Sequence, residues 1–182
     1  MLKLDTQAIF TGQLSYADAT RDVTHADLYV YTDEMYSELA AIIANVTDEA
    51  VTFVPHDPAS QEDEERGWTL GHVIAHLTAT SEEAASAAAM MARGVELEQR
   101  LRYEVPWETI TTARQVHERL QESHRMCRAL LDAWPNSPHL EITSTLIPQL
   151  GPMNPIGRYI LGLMHAQMHP EQLREIIRQA IS

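Results

Sequence analysis

Residues 154–180 read NPIGRYILGLMHAQMHPEQLREIIRQA, and the reading of this stretch decides the fold. Asn154 is a suitable N-cap, and Pro155 fits the first helical position, where a missing N–H is harmless. The segment is apolar and helical in character to about Ala180, with one interruption. Pro170 cannot donate to the carbonyl of Ala166, and its ring crowds that carbonyl. "PEQLREII" is itself a good helix start, so the helix either kinks or stops and restarts with Pro170 in its first turn. This reading puts the break after His169. It leaves His165 and His169 convergent and re-aims Gln172.

Working outward, three more segments read as long helices. The first spans about 19–46, with Val23, Ala26, Val30, Leu39, Ile42, Ile43 and Val46 near helical spacing. The second starts at the N-cap Thr69 and carries a stripe of Leu70, Val73, Leu77, Ala84, Ala88 and Met91 before Gly94 stops it. The third covers about 111–133, with Val116, Leu120, Cys127 and Leu131 inward and Trp134-Pro135 at its end. The linkers are 48–67, whose acidic run EDEERG reads as a solvated loop, 95–108 with Pro106 and Trp107, and 135–153 with four prolines. A loop as long as the last is often functional. The prediction is an all-α four-helix bundle, one domain over 1–182, with residues 1–18 as an N-terminal arm.

Composition narrows the function. The 182 residues are 45% apolar, enough for a sizeable core. The net charge of −13, from 26 acids against 13 bases, argues against nucleic-acid binding and against attraction to anionic membranes. No window is long and apolar enough to cross a bilayer, and the start lacks the apolar stretch of a signal peptide. A single cysteine, Cys127, rules out an intramolecular disulfide and reads as core; a cytoplasmic location is expected.

The nine histidines include two pairs at four-residue spacing, His72/His76 and His165/His169. At about 100° per residue, such pairs lie roughly 40° apart on one helix face and can converge on one ion. His76 borders the apolar stripe of its helix, and His72 lies further toward the polar side. Three neutral imidazoles from His76, His165 and His169 suffice for a divalent ion and leave one position open. Zinc, nickel and iron(II) all accept such a set. Gly162, one turn before His165, leaves room beside the imidazole, and Gln172, one turn after His169, can orient a ring or a water. His25, His56, His117, His124 and His139 read as surface or singly hydrogen-bonded histidines, and Glu83, near the His76 face, as a surface glutamate.

"RGWTLGHVIAHL" (66–77) together with "HAQMHPEQL" (165–173) resembles the DinB-like superfamily of four-helix bundles. Trp68, Thr69, His76 and Leu77 match its first motif, and His165, His169, Gln172 and Leu173 its second. The resemblance covers about 20–180. It implies a divalent metal held by His76, His165 and His169. It also implies kinship with transferases and isomerases that use mycothiol, bacillithiol or glutathione, and a homodimer. Two departures stand out: His72, where the family has an acidic or polar residue, and Pro170-Glu171, where it has Arg-Gly. The functional expectation is a metal-dependent enzyme acting on a small-molecule substrate, by hydrolysis or by transfer with a low-molecular-weight thiol as cosubstrate. His72 and Gln172 would position the water or incoming group, and the 135–153 loop and Trp107 would wall the pocket. The alternative is a non-catalytic metal- or ligand-binding bundle acting through dimerisation.

Overall fold

The computed structural model describes residues 4–58, 66–97 and 104–182. Most of the acidic run at 62–67 and the middle of the 95–108 linker lie outside the described residues. Within them, the helices are α1 (Thr6–Phe10), α2 (Tyr16–Thr20), α3 (His25–Ile42), α4 (Asp48–Thr52), α5 (Leu70–Ala92), α6 (Ala113–Asp132), α7 (Pro155–Ala166) and α8 (Pro170–Ala180). Short 3₁₀ turns occupy Trp107–Thr109 and Pro148–Leu150. No strand forms among the described residues; isolated bridges join His56 to Arg66 and Ser144 to Met153.

The bundle is built from α3, α5, α6 and the α7–α8 unit. α5 packs against both α6 and α7, and α3 also packs against both, so α3 and α5 sit on opposite corners. α5 begins as predicted: the Thr69 hydroxyl accepts from the N–H of His72 and satisfies an otherwise orphaned donor, a cap typically worth about 1 kcal/mol. Its predicted stripe is buried throughout. The helix is hidden well beyond that stripe, because its alanine-rich second half lets neighbours approach closely on several sides. The predicted inward residues of α6 are buried too.

Two boundaries differ from the sequence reading. The first long helix begins at His25, not near residue 19. Thr24 and Asp27 form a reciprocal capping box, and Thr24 is extended (φ −98°, ψ 164°), so the chain turns there and separates α2 from α3. The N-terminal segment is also more than an arm. The Tyr16 hydroxyl, fully buried, donates to the carbonyl of Gly157 at 2.8 Å and ties α2 to the first turn of α7.

The second difference is at the proline. The break lies between the two histidines rather than after them. α7 ends at Ala166, and the N–H groups of Met168 and His169 donate to the carbonyls of His165 and Ala166 at 3.1 and 3.2 Å. These tighter i→i+3 bonds give the Ala166 carbonyl the partner that Pro170 cannot supply. Pro170 is the first residue of α8, so His169 is its N-cap by necessity. His169 makes no side-chain capping bond; its ring is committed elsewhere.

Candidate metal centre

The rings of His76, His165 and His169 meet at the second turn of α5, the last turn of α7 and the α7–α8 junction. One nitrogen from each ring lies within 4.8 Å of the others. Nε2 of His76 is 3.1 Å from Nε2 of His165. Ring centroids are 4.9 Å apart for His76–His165 and His165–His169, and 5.4 Å for His76–His169, with the planes strongly inclined. Inclined rings with their nitrogens turned to a common point suit lone-pair donation better than stacking. All three are half-buried, so the point is reachable but largely shielded from water.

The second shell is supplied by the same short motifs. Nδ1–H of His169 donates to Oε1 of Gln172 at 2.8 Å, across the first turn of α8. That bond selects the tautomer with a lone pair on Nε2. Nε2 of His169 is buried and has no hydrogen-bond partner among the described residues. A buried ring nitrogen with its lone pair unspent, beside two more imidazoles, is the donor set a divalent cation requires. The break before Pro170 thus does not disperse the pair. It places His169 on the tight turn and aims Gln172 back at it.

A family model described as the DinB superfamily matches residues 31–173, including all three histidines and Gln172. The chain belongs to the DinB superfamily. No curated protein and no solved structure matches it. A helical superfamily member with a three-histidine group is compatible with metal binding.

Other predicted residues of this DinB-superfamily chain are placed differently. His72 does not join the three-histidine group. Its ring is sandwiched between Trp68 and Trp107, with centroids 4.1 and 4.7 Å away and planes within 17° and 9° of parallel. Trp68 in turn sets its edge against His76 at 4.9 Å. Trp107 reaches His72 because Gly71 lets the linker close in: a Cβ there would stand 2.5 Å from the carbonyl oxygen of Ile110. Trp107 therefore walls a cleft with Val54, Arg66 and Trp68 rather than the space beside His165. The 135–153 loop does reach that space, where Leu146 and Ile147 line a cavity that includes His165.

Gly162 lines the cavity that includes His165 and also serves the close crossing of α5 and α7, where a Cβ would lie 2.5 Å from the Cβ of Ala84. One expectation is overturned. Glu83 is not a surface residue. It is 8% exposed and paired with Arg158, itself 3% exposed, across the same crossing. Sequence reading placed Glu83 near the His76 face but had no means of finding its cation on another helix. Of the remaining histidines, His25 stacks on Trp134, His124 meets Asp33 at 2.7 Å, and His139 meets Glu141 at 2.6 Å. None joins the cluster. No helix among the described residues is long and apolar enough to cross a membrane.

Proposed function

We propose that His76, His165 and His169 hold one divalent metal ion and that the protein is a metal-dependent enzyme acting on a small molecule. The observation that carries this is the buried Nε2 of His169, its tautomer set by Gln172, facing two other imidazoles. Three neutral donors, with no fourth ligand grouped with them among the described residues, fit the pattern of catalytic rather than structural zinc, which is usually closed by cysteine. Cys127, the one candidate thiolate, is buried against Tyr36 and Ser123 in the α3–α6 interface. A bound ion would supply Lewis acidity at an open position, usable for hydrolysis or for activating a thiol.

The protein's own residues have distinct tasks in this reading. Gln172 holds the His169 ring and keeps its proton on Nδ1. Trp68 fixes the plane of His76 by edge contact. His72, clamped between two indoles, acts as a positioning residue through Trp68 rather than as a mobile base. The half-burial of the three rings lowers the local dielectric and strengthens the electrostatic interactions there.

The test is elemental analysis of purified protein, followed by activity screens on ester, amide and thiol-transfer substrates with and without a low-molecular-weight thiol. One equivalent of divalent metal per chain is expected, lost in His76→Ala and in His165→Ala while far-ultraviolet circular dichroism is retained. Turnover should disappear on chelation and return with metal. Full metal occupancy in either variant would remove that residue from the ligand set, and turnover indifferent to chelation would sink the reading.

A further inference from the structure

Glu83 lies two turns along α5 from His76, and Arg158 lies two turns back along α7 from His165. The helices run antiparallel, since His76 meets His165 and Glu83 meets Arg158. The ion pair is therefore level across the crossing, about 10 Å of helix rise from the histidines. Between them is a cavity of about 160 Å³ with His165 at one end and Arg158 and Glu83 at the other. Its side walls include Leu146, Ile147 and Leu161.

We propose that this cavity is a substrate subsite and that Arg158 receives in it the carboxylate of a small, otherwise aliphatic organic acid. Its catalytic meaning rests on the metal-centre reading above, but carboxylate binding can be tested without it. A guanidinium presents five N–H donors in a planar fork suited to carboxylate oxygens. Arg158 donates to Glu83 from Nη2, and no other side-chain acceptor bonds its guanidinium among the described residues. Donors are thus left over on a buried cation that faces a cavity. A buried ion pair is no stability gain over well-packed apolar side chains, so stability alone does not account for this one beside a void. Glu83 holds the cation in place and neutralises it until an anion arrives. The size fits a group of a few atoms, being well below the about 300–1,000 Å³ of pockets for drug-sized ligands. The aliphatic walls favour a short hydrocarbon between the carboxylate and the end nearest His165.

The experiment is isothermal titration of the full chain with sodium propionate and with propionamide, its neutral counterpart, at constant ionic strength. Metal-loaded and chelated wild type, Arg158→Gln and Leu161→Phe are compared. The proposal expects one propionate site with a millimolar dissociation constant in both wild-type forms and at least tenfold weaker propionamide. Arg158→Gln and Leu161→Phe should each weaken propionate at least tenfold. Leu161→Phe keeps the ion pair and fills the cavity, so it decides the matter if Arg158→Gln does not fold. Equal binding of acid and amide, or no propionate binding to wild type, would overturn the subsite. So would propionate binding that survives Arg158→Gln and vanishes on chelation, which would put the anion on the metal. A chain that takes up no metal yet binds propionate through Arg158 would retire the metal reading and leave the subsite standing.

Discussion

The replacement Gly162→Ala probes the link between helix packing and the metal centre. The new methyl would lie 2.5 Å from the Ala84 Cβ and 3.4 Å from the Ser81 Cα. Carbon atoms in contact sit about 3.5–4.0 Å apart. Neither neighbour is the end of a flexible side chain, so α5 and α7 must separate by about 1 Å. Overpacking of this kind costs about 1–3 kcal/mol. Alanine in place of glycine inside a helix returns about 0.8–1.0 kcal/mol. The net loss of stability is therefore about 0–2 kcal/mol, a fall in Tm of at most several degrees for a chain of this size. The site should suffer more. Gly162 is one turn from His165, and the two helices carry facing nitrogens only 3.1 Å apart. Metal–ligand distances tolerate about 0.2 Å of error, far less than the displacement. Zinc affinity, measured by competition with a chromophoric chelator, should fall about 10–100-fold. Ala84→Gly alone should cost about 1 kcal/mol of stability with little effect on zinc. The double variant Ala84→Gly/Gly162→Ala removes the clash and should recover most of the affinity, a coupling of neighbours that a double-mutant cycle reads directly. Wild-type zinc affinity in Gly162→Ala, or a double variant no better than the single, would refute the reasoning.

Three further outcomes are expected. Gln172→Ala should weaken zinc binding about 10–100-fold by releasing the His169 ring, with the metal-free melting temperature nearly unchanged; unchanged affinity would show the ring is held by something else. Burial pushes the Cys127 thiol up to about 11, so Ellman's reagent at pH 8 should leave the native protein unlabelled and label one thiol on unfolding. Rapid native labelling would contradict its placement between α3 and α6. Gly71→Ala forces the Ile110 carbonyl outward and should lift Trp107 from His72, at about 1–3 kcal/mol of overpacking cost and with altered near-ultraviolet circular dichroism. An unchanged spectrum would mean the stack does not depend on that close approach.

Local chemistry explains what the sequence disclosed. Thr69 and Asn154 announce helix starts because their side chains satisfy backbone donors within three residues. The stripe from Leu70 to Met91 is legible because helical periodicity is a property of the chain itself. The Thr24–Asp27 capping box was equally local, yet the apolar spacing running across it from Val23 to Ala26 concealed it. The three histidines could be grouped because two share a short motif and the third borders a core stripe. The break lies at 167–169 and not after His169 as the sequence suggests, because a proline at the first helical position makes the preceding residue the cap. The Glu83–Arg158 pair, the Ala84–Gly162 crossing and the Trp68–His72–Trp107 stack were out of reach. Each joins separate segments, and only the packed bundle brings its members together.

The most direct measurement is anomalous diffraction at the zinc edge from crystals of the zinc-loaded protein. A single peak at about 2.0–2.1 Å from one nitrogen each of His76, His165 and His169 is predicted, with the His169 bond made through Nε2. A peak bonded to other residues, or no ordered zinc although the three rings are well defined, would contradict it.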